Sequence, residues 1–318
     1  MTSSRRAVVA QARESINKGS KSFALAARIF DPAVRDRVFM LYSWCRACDD
    51  LTDDQDHGFS AQTSSVNCTA RALTDRALNT TREVPAPFNA LRTLVQEVPL
   101  DPQDIDDHLR GFDLDEWGWS PDDETDLIGY CHHVAGVVGS MMARLMGVKP
   151  EDADTLARAR HLGISFQLNN IARDIVDDAK IGRVYLPRTW LDEIGLSDRD
   201  RLDAQADHSK LAPLAARLII MARAFDASAR VGAARLPLRS RIAILAAANI
   251  YGAIGETVVE RGVHAWNTRA GTSAIKKIQL FSLALPQALR HSKSFSACPL
   301  FDDNLWRARL DVLIQRHA

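Results

Sequence analysis

The stretch Gln167-Leu-Asn-Asn170-Ile-Ala-Arg173-Asp174-Ile-Val-Asp177-Asp178 decides the fold of this chain. Gln167, Asn170, Asp174 and Asp178 advance by three, four and four residues, the spacing at which side chains share one face of an α-helix. The opposite face carries Phe166, Leu168, Ile171, Ala172 and Ile175. A stripe of oxygen-bearing side chains therefore runs along the edge of a helix whose far side is packed. The pattern recurs upstream in Tyr42-Ser-Trp-Cys-Arg46-Ala-Cys-Asp49-Asp50-Leu-Thr-Asp53-Asp54. Here Arg46, Asp49, Asp50 and Asp53 fall on one stripe, with Tyr42 one turn further back. Asp49/Asp53 and Asp174/Asp178 have the same internal spacing, so two antiparallel helices can present them face to face across a cavity.

Such stripes cost stability. Like charges one turn apart repel by a few tenths of a kcal/mol per pair, and acids near the C-terminal end of a helix oppose its dipole. One cluster alone reads most simply as a solvated helix face. Two clusters of equal spacing, each with an arginine and an amide or tyrosine on its stripe, point instead to a shared ligand. Magnesium is a hard cation that takes oxygen ligands, keeps several waters and is commonly held by one or two carboxylates plus substrate phosphates. Facing carboxylate pairs suit a metal-bridged diphosphate, and Arg46 and Arg173 supply the forked donors that phosphate oxygens accept.

The remainder of the chain agrees with an all-α fold. Good helix formers dominate, and no sustained two-residue alternation marks a strand. Prolines, among them Pro32, Pro85, Pro102, Pro121, Pro187, Pro213, Pro237 and Pro286, punctuate helix-sized blocks. These blocks are roughly 33–50, 69–82, 86–97, 102–116, 123–147, 152–178, 210–232, 238–263 and 273–290. Ser120-Pro121-Asp122-Asp123 reads as a helix start with Ser120 at the cap. The most polar loops, about 54–68 and 179–208, directly follow the two acidic clusters.

No Pro-, Gly- or Ser-rich linker divides the 318 residues, which predicts one domain over 1–290 and a C-terminal tail of unclear role over 291–318. Apolar residues make up 46% and charged residues 25%, enough for a sizeable core. Forty basic and 40 acidic side chains balance, which excludes a field suited to nucleic acid. The odd set Cys45, Cys48, Cys68, Cys131 and Cys298 favours a reducing compartment and a cytoplasmic address. The N-terminus is not a convincing signal peptide, and the apolar run Ile242 to Ile250 reads as a buried core helix because Arg241 and Glu256 close it.

Cys48-Asp-Asp-Leu-Thr-Asp-Asp54 and Asn170-Ile-Ala-Arg-Asp-Ile-Val-Asp-Asp-Ala-Lys-Ile-Gly-Arg-Val-Tyr-Leu-Pro187 resemble the two signature segments of the squalene and phytoene synthase family. The resemblance extends to Gly19-Ser-Lys-Ser-Phe23, Tyr130-Cys-His-His-Val-Ala-Gly-Val-Val-Gly139 and Tyr251 to Arg269, and is closest in wording to bacterial phytoene synthases. It implies an isoprenoid-synthase-type helical bundle around a central cavity. By it, Asp49, Asp53, Asn170, Asp174 and Asp178 would be magnesium ligands, with manganese as a substitute. Ser20, Lys21, Ser22, Arg46, Arg173 and Arg269 would meet diphosphate oxygens, with Phe23 beside them at the substrate, while Tyr42, Tyr130, Gln167 and Tyr251 would line the reacting centre. The implied reaction joins two geranylgeranyl diphosphates head to head through a cyclopropylcarbinyl diphosphate and ends in proton loss to phytoene, without NADPH. Lipid substrates and product further imply peripheral membrane contact. The family also contains squalene and dehydrosqualene synthases acting on farnesyl diphosphate, and helical members that act in assembly without synthesis. The chain departs from the pattern at Thr52, where an aliphatic residue is usual, and in Gly129-Tyr-Cys-His-His, which lacks a second aromatic. The latter leaves open which of Tyr130, His132 or His133 carries protons, with Tyr130 the first choice as orienter or relay.

Three weaker signals have plainer readings. Gly136 and Gly139 inside a helical block fit close helix packing as well as room for a prenyl chain. Cys45-x-x-Cys48 has no second cysteine pair and reads as core. His132 and His133 are adjacent, so a regular helix turns at most one of them inward.

Overall fold

Five of the described helices begin where the sequence supplies a carboxylate or hydroxyl to cap them, and three others follow a proline. In the computed structural model, which describes residues 4–19, 27–52, 66–196, 202, 207–290, 309, 310, 312, 313, 315 and 316, the order begins with α1 (Arg5–Gly19), α2 (Pro32–Thr52), α3 (Val66–Asn79), α4 (Ala86–Glu97), α5 (Pro102–Glu116) and α6 (Glu124–Cys131). A π-helical turn (His132–Gly136) leads into α7 (Val137–Leu145), followed by α8 (Ala153–Lys180), α9 (Arg188–Glu193), α10 (His208–Ala233), α11 (Leu238–Arg261) and α12 (Ala274–Leu289). No strand occurs among the described residues. Side chains of Asp101, Asp123, Asp152, Asp207 and Ser273 accept from backbone amides in the first turns of α5, α6, α8, α10 and α12. Each such cap contributes about 1 kcal/mol.

The start expected at Ser120 falls instead at Asp123. The carbonyls of Pro121 and Asp122 accept from the amides of Arg188 and Thr189 at 2.9 and 3.1 Å, so this backbone is engaged with α9 rather than with a helix of its own. The block expected at 123–147 is interrupted by the π turn, and Pro213 and Pro286 lie inside α10 and α12 rather than at their ends. At Pro286 the amide donor that proline lacks would have served the carbonyl of Ser282, an exposed residue.

The long helix α8 is the centre of the molecule, packed along α10 and flanked by α7, the π turn and α11. Two apolar cores form around it. One gathers Leu168, Ile171 and Ile175 of α8 with Leu218 and Phe225 of α10. The other gathers Leu41 and Trp44 of α2 with Phe88, Leu91 and Leu94 of α4 and Ile16 of α1. A cavity of about 770 Å³ takes lining residues from both.

Two glycines set how closely the central helices approach. A Cβ on Gly139 would stand 2.1 Å from the carbonyl oxygen of Ala159, and one on Gly163 would stand 2.0 Å from that of Ala135. Both residues also line the cavity, so close packing and space for a ligand come from the same positions. The helix from Leu238 to His264 is long and apolar enough to cross a membrane by length and composition. Here it lies in the bundle, supplying Ala243, Ile244, Ala247 and Tyr251 to the cavity wall. Within the expected tail, Leu310 is buried in the α8 core and Arg309 donates to Asp123 and Asp126 at 2.9 and 2.7 Å.

Candidate active site

The cavity is apolar along most of its wall, with Phe30, Val38, Leu41, Phe112, Met142 and Leu236 among its lining, and strongly charged in one region. Asp49 from α2, Asp115 from α5 and Asp174 and Asp178 from α8 line it together with Arg46, Arg173, Arg183 and Arg269. Asp49 therefore faces the same space as the Asp174/Asp178 pair, while its partner Asp53 lies outside the described residues, as do Ser20, Lys21, Ser22 and Phe23. Tyr42, Tyr130, Gln167, Asn170 and Tyr251 line the cavity as well.

Arginine forks hold the carboxylates in place. Arg46 donates to Asp49 at 2.9 Å and pairs with Asp50 at 2.5 Å, a consequence of the three- and four-residue spacing on α2. Asp174 is clamped from two sides. Arg173 Nε donates to its Oδ1 at 2.8 Å, and Arg269 donates to Oδ1 and Oδ2 at 3.0 and 2.9 Å. Burial pushes the Asp174 carboxyl up, but these hydrogen bonds outweigh it and hold the group below its ordinary value. Among the described residues no arginine hydrogen bond clamps Asp178 in this way. Burial, then the neighbouring Asp174 charge, pushes its carboxyl up to about 7. Two carboxylates of one stripe thus sit in opposite electrostatic situations.

Among the described residues no group of three or more His, Cys, Asp or Glu side chains forms a closed metal cage. Carboxylates dispersed around an open cavity, one of them with its charge uncompensated, match a hard cation that keeps waters and completes its shell with phosphate oxygens. The residues fit in that sense.

A family model described as squalene/phytoene synthase matches residues 16–276. The chain belongs to the squalene/phytoene synthase family. Among the relatives of this family member, the 15-cis-phytoene synthase of Enterobacter agglomerans is 43% identical over 277 residues, 85% of this chain and 92% of that one. That of Pantoea ananas is 41% identical over 304 residues, 93% and 96% of the two chains. A dehydrosqualene synthase solved in complex with ligand superposes with a TM-score of 0.75 at 26% identity, covering 88% of this chain and 96% of that one. The squalene synthase of Alicyclobacillus acidocaldarius shares the fold, with a TM-score of 0.68 at 20% identity over 82% and 95% of the chains.

Three residues of this family member were not singled out by sequence reasoning: Asp115, Arg183 and Tyr185. The Tyr130 hydroxyl donates to Asp115 Oδ1 and Oδ2 at 3.0 and 3.1 Å, and the Tyr185 hydroxyl donates to Oδ1 at 2.8 Å. The two phenol rings stack at 4.7 Å, and Trp119 stacks on Tyr130 at 5.8 Å. Burial, with the Asp115 charge next, raises both phenols well above their ordinary value. Tyr130 therefore stays protonated, with its hydroxyl proton committed to Asp115. Of the three proton-carrying choices in this segment, Tyr130 is the one that lines the cavity. His132 and His133 are both buried, contrary to the expectation for a regular helix, because the π turn sets both rings against Asp107 of α5. Cys45 and Cys48 are free thiols, and burial pushes Cys45 up to about 12, which leaves no reactive thiolate. Phe166 stacks on Tyr251 at 4.0 Å, fixing that ring in the wall.

Proposed function

We propose that this protein condenses two geranylgeranyl diphosphates head to head to phytoene, the first committed step toward carotenoids. The observation that carries the reading is one cavity in which α2 and α8 both present carboxylates and arginines beside a long apolar wall. The names of the bacterial relatives support the product, and the cavity's extent along Phe30, Met142, Met146 and Leu236 supports a long prenyl chain.

In this reading Asp49, Asp53, Asn170, Asp174 and Asp178 hold magnesium, which manganese can replace. Bound there, the ions would neutralise the diphosphate and make it a good leaving group. Arg173 and Arg269 now spend their forks on Asp174. Turned to diphosphate oxygens, they would free Asp174 to hold a cation, so the same two arginines would serve carboxylate and diphosphate in turn. Arg46 meets the diphosphate from α2, and Ser20, Lys21, Ser22 and Phe23 close over it. Asn170 and Gln167 extend the oxygen-bearing stripe. Tyr42, Tyr130 and Tyr251 wall the reacting centre. Tyr130 is held by Asp115, so it orients and shields the cationic carbon skeleton rather than donating a proton to it. Residues 1–290 form the one synthase domain, on which Arg309 and Leu310 of the tail also pack, no NADPH takes part, and the free thiols Cys45, Cys48 and Cys131 support a cytoplasmic setting. Lipid substrates and product support peripheral contact with a membrane.

Purified protein supplied with geranylgeranyl or farnesyl diphosphate and magnesium, with and without NADPH, tests the reading by product analysis. Phytoene from the longer substrate, indifferent to NADPH, is expected. NADPH-dependent squalene would assign the protein to the squalene synthase branch instead.

A further inference from the structure

α12 packs one face on α11 and turns another outward, exposed among the described residues. Inward, Phe281, Ala284 and Ala288 meet Ile242, Leu245 and Ala246. Asn249 donates to the carbonyl of Leu280 at 3.1 Å, and Arg241 donates to that of Ala288 at 2.8 Å, which fixes the helix to the bundle. Outward, Ile275, Ile278, Leu285 and Leu289 are 71%, 64%, 43% and 71% exposed. Their spacing of three, seven and four residues makes one continuous stripe along the helix. Scattered exposed aliphatic residues need no explanation, but a stripe over the full length of a helix does.

Charge indicates what covers it. The chain has 40 acids in 318 residues, about one in eight, yet none falls between Arg261 and Arg290. The same 30 residues hold Arg261, Arg269, Lys276, Lys277 and Arg290. Lys276 lies in the first turn of the helix and Arg290 just past its end, both exposed. We propose that the outer face of α12 is the surface by which this protein lies on an anionic phospholipid bilayer, with the stripe in the acyl boundary and the cations at the headgroups. The proposal rests on the reading that substrate and product are lipids. It places α11, whose other side lines the cavity, directly behind the docking face.

The test is co-sedimentation of the full chain with phosphatidylcholine vesicles containing or lacking phosphatidylglycerol, at low and high salt. The parent is expected to pellet with the anionic vesicles and to be released by salt. Ile278→Glu combined with Leu285→Glu should weaken binding by about tenfold or more at either salt. Lys276→Glu should weaken it chiefly at low salt. Ile278, Leu285 and Lys276 are exposed and none of them lines the cavity, so turnover of detergent-dispersed substrate should remain that of the parent. Loss of that turnover in the parent itself would count against the proposed reaction and leave vesicle binding as a separate result. A parent that stays in the supernatant, or a double variant that pellets like the parent, would overturn the proposal. So would a double variant that changes from dimer to monomer while its vesicle binding is unaltered, since the stripe would then join two copies of the chain.

Discussion

Asp115 shows what a single residue gains from the fold. In the sequence it is one of several acids between Asp101 and Glu116, and no spacing distinguishes it. Its partners are 15 and 70 residues away, at Tyr130 and Tyr185, so local periodicity carries no trace of the contact. Asp174 and Asp178 were legible because their relation is local, one turn apart on one helix, although their opposite electrostatic states depend on Arg269, 95 residues from Asp174. Two expectations belong here. Asp115→Asn and Tyr130→Phe should each lower kcat by about 10- to 100-fold, a loss of about 1.4 to 2.7 kcal/mol of barrier lowering. The double variant should be no worse than the poorer single one, because Tyr130→Phe removes and Asp115→Asn discharges the same hydrogen bond. Additive losses in the double-mutant cycle would show that Asp115 does not act through Tyr130. Asp178→Asn should abolish turnover yet raise the melting temperature of the metal-free protein, because it removes a buried charge beside Asp174. An unchanged or lowered melting temperature would remove the crowding argument.

At the scale of elements, helix type and extent followed from capping and spacing. The blocks expected at 86–97 and 102–116 coincide with α4 and α5. What the periodicity did not show is where helices touch. Gly139 read equally well as a packing or a pocket residue until the crossing placed the Ala159 carbonyl over it, and Gly163, which no sequence pattern singled out, meets the Ala135 carbonyl in the same way. The π turn at His132–Gly136 was likewise hidden, since its widened backbone is set by packing against α5 and α8 rather than by residue type. Gly139→Ala and Gly163→Ala should each cost about 2 kcal/mol or more by urea unfolding, outweighing the gain in helix propensity of about 1 kcal/mol. Gly252→Ala, where a Cβ meets nothing within 4 Å, should stabilise by about 0.5–1 kcal/mol in the same assay. Equal effects at the three sites would contradict the crossing geometry.

For the molecule as a whole, the all-α fold and its two facing acidic helices could be read from the sequence. α1 was not, although Val8, Ala12 and Ile16 recur every four residues and are all buried. Burial also governs the response to acid. It holds His108 and His161 down to about 4, far below the ordinary histidine value. Between about 4 and 6.5 the unfolded chain binds protons that the folded chain refuses, so stability present above pH about 6.5 is lost as pH falls, by about 1.4 kcal/mol per pH unit for each histidine. Raised carboxyls such as Asp178 slope the other way, so the contribution of His108 is isolated by substitution. His108→Phe keeps a ring between Trp44 and Phe112, and should show a flatter fall in urea midpoint with acid than the parent. Parallel profiles would contradict the assignment.

The central claim is that α2 and α8 hold one metal-complexed diphosphate between them. Manganese binding followed by electron paramagnetic resonance, with and without inorganic diphosphate, tests it most directly in the parent and in Asp49→Asn and Asp174→Asn. The parent should bind manganese far more tightly when diphosphate is present, and each single variant, one per helix, should lose that diphosphate-dependent binding. If either variant retained it in full, the two helices would not share a ligand and the account would fail.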